Sequence, residues 1–432
     1  MANLESVTLN NIPYSFSLTL INYSSKEAIQ LPYKIIGELD LECDIGTPIT
    51  TGSFLVSDIG SKILHRFENN NNCYIQLTLG IDYLDKTKNS TISHEFLVMA
   101  IDVVERTNND VKYRISFTSK YWHHFNNYLK YSSGKEKTAV EILKDIFSKS
   151  GLSLNVSNFI NNDKDKIFYI TPTDAKFVDT MRYVLSATSN KDKFAYDIIY
   201  NNNDDKFYLF SLKYLLNDLI LKGFDTKVFN DELTQRNVLF INSDSFLPPP
   251  TILKQSLAYN ITEYTNNTST INIEKLKPIK IHSFDHIKRK WNQTNISSQD
   301  MIDSLPATNI KSFSKIVILP KKDNKPNTVN VSAQNYQREY FSTVSGHYVD
   351  DNIRSLYYDT KVVGLQVTGD IARKVGDIIS IKSDSAYGAY NRFEGVYVLI
   401  GVKSLVSFGG TFKQVLTICR ADKRLDQGFT NE

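Results

Sequence analysis

At 432 residues the chain exceeds the roughly 250–300 at which one hydrophobic core stops growing, so two to four domains are expected. Its 41% apolar content is ordinary for a globular protein, and 50 basic against 47 acidic residues leave a net charge of only +3. That balance argues against a dedicated nucleic-acid binder, which would concentrate basic residues on one face.

From Tyr14 to about Lys120 the pattern is all β. Tyr14-Ser-Phe-Ser-Leu-Thr-Leu20 alternates apolar and polar residues, and Tyr74–Leu79 does so after the polar turn Asn69–Asn72. Short strands separated by turns at this spacing suggest a barrel or a sandwich. Two helices follow. Thr138-Ala-Val-Glu141 has the capping-box form, in which a hydroxyl and a carboxylate satisfy free N–H groups at a helix start. Ala139, Leu143, Ile146 and Phe147 then share one face, and Ser150-Gly151 ends the helix. A strand is expected over Leu152–Val156. The second helix is expected from about Thr173, with Phe177, Met181, Val184 and Leu185 on one side, leading into a hairpin of Phe194–Tyr200 and Lys206–Leu212. From Asn217 to Pro326 the signals weaken. Pro248-Pro249-Pro250 reads as a stiff connector. Thr270–Ile273 and Ile279–Phe284 are candidate strands, and Asn292–Ser304 reads as a loop or frayed helix. A helix is expected over Ser332–Tyr348, with Tyr336, Tyr340, Phe341, Val344 and Tyr348 on its apolar side.

The C-terminal stretch Leu365–Arg420 predicts a closed or strongly curled antiparallel β unit. Its run Val396–Ile400 is all apolar, as in a strand buried on both faces, which makes Ile400→Asp a disruptive change. Gly409-Gly410 supplies the positive φ of a tight hairpin. The same unit is foreshadowed near the N-terminus. Leu39–Ile45 matches Leu365–Ile371, Phe54–Val56 matches Ile378–Ile381, Leu97–Val103 matches Val396–Val402, and Tyr113–Phe117 matches Val415–Ile418. A duplicated β domain is the reading, with Tyr74–Leu79 as an extra strand of the first copy.

Little here looks catalytic. The chain has no phosphate-cradling Gly-rich loop, Gly-x-Ser-x-Gly elbow or His-Glu-x-x-His. His282 and His286 are four apart, but their surroundings alternate as a strand would, and the adjacent His123 and His124 diverge on any regular element. Glu42/Asp44 and Asp102/Glu105 read as polar strand faces, Ser312-Phe-Ser-Lys315 is too short a motif to count, and Lys288-Arg-Lys-Trp291 reads as a solvated face with an anchoring Trp. No catalytic, cofactor-binding or metal residue is assigned, and no cofactor is expected. Cys43, Cys73 and Cys419 are odd in number and form no Cys-x-x-Cys, so they read as buried free thiols made in a reducing compartment. Neither a secretory leader nor an apolar run of about 18 residues is found, so no membrane span is expected.

Several stretches together resemble the central hub protein of bacteriophage tail baseplates, a family shared with the hub portion of type VI secretion spikes. They are Lys137–Val156, Ile170–Leu185, the Gly-Asp-Ile-x4-Gly-Asp-Ile-Ile run Gly369–Ile379 and the closing Glu394–Arg420. The resemblance implies an α+β, mostly β fold: two tube-type β-barrel domains joined by α/β segments. Residues 1–120 would form the first barrel and 121–215 an α/β domain. Residues 216–349 would form an irregular β insertion ending in a helix, and 350–432 the second barrel, which can recruit strands from 206–260. It also implies a homotrimer that matches a hexameric tail tube or tube initiator to a trimeric central spike, beside other baseplate proteins, around a channel for passing DNA. Such a protein belongs to the virion tail and is assembled in the host cytoplasm. A receptor-binding, adhesin-like tail protein is the alternative, and a tail-borne cell-wall hydrolase a third reading.

Overall fold

The computed structural model describes residues 4–45, 47–60, 67, 73–81, 90–107, 109–127, 133–156, 166–170, 176–187, 196–201, 205–211, 238–241, 257–266, 279–285, 290–296, 315–320, 361–383 and 395–420. The expected helix over Ser332–Tyr348, the triple proline and Thr270–Ile273 lie outside these residues. The described chain is mostly β.

The N-terminal half contains β1 (Glu5–Leu9), β2 (Ile12–Asn22), β3 (Glu27–Leu31), β4 (Ile36–Asp44), β5 (Thr47–Ile59), β6 (Cys73–Ile81), β7 (Ser90–Arg106) and β8 (Asp110–Ser119). They pair antiparallel in the order β1-β2-β6-β7-β8-β5-β4, with β3 also on β2. Alternation dictates which face turns inward. Tyr14, Phe16, Leu18 and Leu20 of β2, Ile75, Leu77 and Leu79 of β6, and Tyr113, Ile115 and Phe117 of β8 are all buried in one core.

An α/β layer follows: α1 (Trp122–Asn126), β9 (Ser133–Thr138), α2 (Ala139–Lys149), β10 (Leu154–Val156), β11 (Lys166–Ile170), α3 (Phe177–Ala187), β12 (Tyr196–Asn201) and β13 (Lys206–Ser211). The capping box is present: Glu141 N–H donates to Thr138 Oγ1 at 3.2 Å, and Thr138 N–H donates to Glu141 Oε2 at 2.7 Å. Sheet β10-β13-β12 and the helices bury Phe125, Phe147, Phe177 and Phe207, whose rings approach edge-on or tilted. The β9–β11 pair is an addition to the expected elements.

Next come β14 (Val238–Ile241), β15 (Leu257–Asn266), β16 (Ile279–Asp285), β17 (Lys290–Ile296) and β18 (Lys315–Pro320), then β19 (Lys361–Thr368), β20 (Ile378–Ser383), β21 (Gly395–Ser407) and β22 (Thr411–Arg420). β17-β16-β18 form a separate small sheet, so Asn292–Ile296 is strand rather than loop. Its pairing with β16, from Ile279↔Ile296 to Asp285↔Lys290, overrides the weak β preference of an Asn-rich segment. The remaining strands pair in a circuit, β21-β20-β14-β15-β19-β22 and back to β21. All its ladders are antiparallel except β20–β14 and β14–β15.

The two halves share a pairing order, but one that corrects the correspondence expected from sequence. β6-β7-β8-β5-β4 is repeated as β20-β21-β22-β19-β15. Tyr74–Leu79 is therefore the counterpart of β20 rather than an extra strand, and β4 corresponds to β15 rather than to the Leu365 segment. Even a local irregularity recurs. β7 bulges between Val98 and Ala100, opposite Phe117 and Ser116, as β21 bulges between Leu399 and Gly401, opposite Ile418 and Thr417. Asp44-Ile45 and Asp370-Ile371 look alike in sequence because each lies at or just past the end of a strand, β4 and β19.

One strand belongs to both halves. β21 pairs with β20 through Val398, then with β4 from Gly401↔Asp44 to Ser407↔Glu38. The bulge lies at the change of partner, and the Ile400 carbonyl accepts Ile45 N–H there at 2.8 Å. An extra residue shifts the inward positions from odd to even numbers: Tyr397, Leu399 and Val402 lie in the second core and Val406 in the first. Ile400 is only partly buried, since it occupies that bulge; Leu399 beside it is fully buried. Leu399→Asp is expected to abolish cooperative folding, because a lone buried carboxylate costs several kcal/mol, whereas Ile400→Asp is expected to be milder. Melting followed by circular dichroism decides; wild-type melting of the Leu399 variant would contradict the shared strand.

Candidate functional site

Two groups of residues hold the parts of the molecule in register, and a third feature is a strand edge left open among the described residues. The first is the seam around the β21–β22 hairpin. Gly410 turns the hairpin at φ 115°, a conformation that favours glycine. The Asn10 side chain then treats Phe412 as a strand neighbour: Nδ2 donates to its carbonyl at 2.5 Å, and Oδ1 accepts its N–H at 3.3 Å. The Phe412 ring lies edge-on to Tyr14 and covers Gly369 so closely that a Cβ there would fall 2.2 Å from its Cγ. The connection from β19 to β20 straddles the seam, with Ile371 in the first core and Val375 in the second.

Beneath it lies a buried polar network. Arg373 Nη1 donates to Thr368 O at 2.7 Å and Gln414 Oε1 at 2.9 Å, while Gln414 Nε2 donates to Asp370 O and Ser404 Oγ, both at 3.0 Å. Burying these groups costs less because the atoms just named hydrogen-bond to one another. The adjoining cavity, lined in part by Thr50, Tyr200, Arg373 and Gln414, measures only about 30 Å³, room for little more than water. In the same connection, burial pushes the Asp377 carboxyl up to about 6, against the opposing hydrogen bond from Lys374 N–H at 3.0 Å.

The second group fastens the α/β layer to the first half. Asp205 sits in the β12–β13 turn at φ 55°. Its Oδ1 accepts from Tyr200 Oη at 2.5 Å and Tyr121 Oη at 2.9 Å; its Oδ2 accepts from Lys120 Nζ at 3.1 Å; and buried His94 of β7 places Nδ1 4.0 Å away. Burial raises the Asp205 carboxyl, but the hydrogen bonds from Tyr200, Lys120 and Tyr121 outweigh it and hold the group below its ordinary range. Burial, reinforced by Asp205, pushes both tyrosine hydroxyls up. Burial would lower the Lys120 ammonium, yet Asp205 keeps it raised. Sequence reading missed this cluster because its members come from four elements, and Asp205 looks like one more polar turn residue.

The third feature is an open edge. β6 accompanies β7 only as far as Tyr74↔Leu97, and among the described residues nothing pairs with Val98–Arg106 on that side. Met99, Val103 and Val104 are 50%, 59% and 51% exposed there. Unpaired strand edges bearing apolar side chains are places where another chain pairs.

The residues weighed as catalytic are scattered. Glu42 and Asp44 lie exposed on the outer face of β4. Asp102 and Glu105 stand on β7 opposite Arg114 and Lys112, the latter pair forming an exposed ion pair at 2.6 Å. His123 and His124 are in α1, and His282 is in β16; His286, Lys288, Arg289 and Ser312–Ser314 lie outside the described residues. Lys290 and Trp291 begin β17, with Trp291 exposed. The three cysteines are free and buried, and burial pushes the Cys43 and Cys419 thiols up to about 12.

No family model matches the sequence, and no curated protein matches it. Solved structures do match in fold. A tail protein from Neisseria meningitidis MC58 aligns over 94% of this chain and 96% of its own, at TM-score 0.53 and 7% identity. The 43 kDa tail protein of prophage MuSo2 from Shewanella oneidensis aligns over 94% and 98%, at 0.50 and 8%. The chain has the fold of phage tail proteins. The Francisella PdpA–VgrG complex also contains a similar chain, at TM-score 0.50 and 13% identity, covering 94% of this chain and 58% of that one. The tail fold is thus shared end to end with the two tail proteins, while the longer chain of that complex carries it as a part.

The two partly buried acids have opposite linkage. Asp205 is held below its unfolded value near 3.9, so its contribution is complete above that value and is lost as pH falls through the lower folded one. Asp377 is raised, so between about pH 4 and 6 the folded state keeps a proton that the unfolded state releases, and stability falls as pH rises. Asp205→Asn is expected to melt lower than wild type at pH 7, with the gap closing in strong acid. Asp377→Asn is expected to melt higher at pH 7 and to flatten the fall between pH 4 and 6. Calorimetry across that range checks both, and equal slopes in all three proteins would contradict the assignment.

Proposed function

We propose that this chain is the structural hub of a phage tail baseplate, built of two tube-type β-barrels per subunit and acting as a homotrimer. Three subunits would present six similar β units, matching a hexameric tail tube on one side and a trimeric spike on the other. The ring would enclose part of the ejection channel, and the protein would be a virion component assembled in the host cytoplasm. The observation that carries the reading is the repeated pairing order, β6-β7-β8-β5-β4 and β20-β21-β22-β19-β15 within one chain. A ring that meets partners of threefold and sixfold symmetry needs two equivalent surfaces per subunit, and an internal repeat supplies them. The tail-protein fold over nearly the whole chain supports the setting. The near-neutral charge suits a channel that DNA must cross without binding. No catalytic step is assigned.

Light scattering over a concentration series tests the proposal, and a trimer mass is expected. A monomer at every concentration, together with saturable binding to host surface glycans, would favour the adhesin-like alternative.

A further inference from the structure

We propose that the cleft on the outer face of β4, β5 and β8, beside Trp122, takes an arginine side chain from a partner protein present in three copies per ring. The count of three rests on the hub reading above; the cleft and the chemistry of its ligand do not.

The cleft measures about 320 Å³, at the lower end of the roughly 300–1,000 Å³ usual for ligand sites. Asp40 and Glu42 of β4 line it with the hydroxyl-bearing Thr51 and Ser53 of β5, and Trp122 of α1 and Met99 of β7 supply its apolar walls. Among the described residues no basic side chain lines it, and Lys403, which stands opposite Glu42 in β21, does not reach it. A site with two carboxylates and no cation of its own selects a cation. The aromatic and thioether walls favour arginine. A guanidinium stacks on an indole face, lays its stem along apolar surface, and still has N–H donors for both carboxylates and the hydroxyls. The first carboxylate is already oriented: Asp40 Oδ1 accepts from Ser53 N–H at 2.8 Å and from Ser53 Oγ at 2.6 Å. Trp122 is held in place as well, because its neighbours Lys120 and Tyr121 both donate to Asp205. Glu42 and Met99 are exposed, so the cleft opens to a side chain presented by another surface rather than enclosing a free small molecule.

The internal repeat gives the number of sites. By pairing order, Asp40 stands opposite Ser53 as Glu263 stands opposite Gly364, and Glu42 opposite Thr51 as Thr265 opposite Val362. The second half thus has one carboxylate where the first has two, and neither hydroxyl of the β5 pair. Trp122 belongs to the α/β layer, which is fastened to the first half through the Asp205 cluster and Ile49. Each chain therefore builds the cleft on its first β unit. A ring of six β units carries it at every other position, and a partner that reads it has threefold symmetry.

The test uses the full chain with Trp291→Phe, which leaves Trp122 as its only tryptophan. Its fluorescence is titrated with Nα-acetyl-arginine amide. A saturable change is expected with half-saturation on the order of 1 mM, as for one weakly held side chain. Nα-acetyl-lysine amide should bind more weakly, and Nα-acetylglutamine amide should give no response. Asp40→Asn with Glu42→Gln keeps hydrogen-bonding groups in place and should melt as the parent does, while binding falls about tenfold or more. Glu42→Gln alone, at an exposed position, should weaken binding in the same direction. No response from Trp122, or an equal response in the charge-neutral variants, would overturn the site; if light scattering still shows a trimer, the hub reading stands without it. A saturable arginine response from a chain that stays monomeric at every concentration would keep the cleft and overturn the count of three per ring.

Discussion

At Gly401 the strand β21 leaves β20 and takes up β4, and the two hydrophobic cores are fixed relative to each other at that point. A regular strand turns alternate side chains to one face throughout. β21 feeds one core with Tyr397, Leu399 and Val402 and the other with Val406, and the bulge at Ile400 shifts the inward positions from odd to even numbers. β4 makes the converse exchange, with Leu39 and Leu41 in the first core and Cys43 in the second. The two cores therefore interlock through shared strands rather than meeting at an ordinary domain interface, which would leave each half free to move.

The rest of the seam reads as support for that exchange. Phe412 fills the first core from the second half's hairpin, Asn10 seals the gap beside it with peptide-like hydrogen bonds, and the Ile371–Val375 connection enters both cores. Arg373 and Gln414 satisfy the polar groups that such a crossing must bury. The α/β layer is attached differently, through the Asp205 cluster and the insertion of Ile49 from β5 into its core. Of these two contacts the Ile49 insertion is apolar, while the other depends on a carboxylate shared by two tyrosines and a lysine.

Much of this was legible in the sequence, for stated reasons. Strict alternation in Tyr14–Leu20 and Tyr113–Phe117 marked strands with one inward face, and the Thr138–Glu141 box and Gly151 bounded α2. The buried free cysteines followed from their number and setting. The repeat was visible, but its strand matching was displaced, because side-chain pattern alone cannot say which strand lies beside which. The helix expected from Thr173 begins at Phe177. The strand β17 was hidden by its Asn and Gln content, and it owes its form to pairing with β16. The Asp205 cluster and the free edge of β7 are products of topology, and no local motif announces either.

The account's central claim is that β21 is shared, with Gly401–Ser407 pairing to β4 across the two halves. Amide hydrogen exchange tests it most directly, because it reads backbone pairing segment by segment. The account predicts that Gly401–Ser407 and Leu39–Asp44 are protected as strongly as Tyr397–Leu399. Free exchange of the β4 amides that face Gly401–Ser407, beside a protected Tyr397–Leu399, would contradict it.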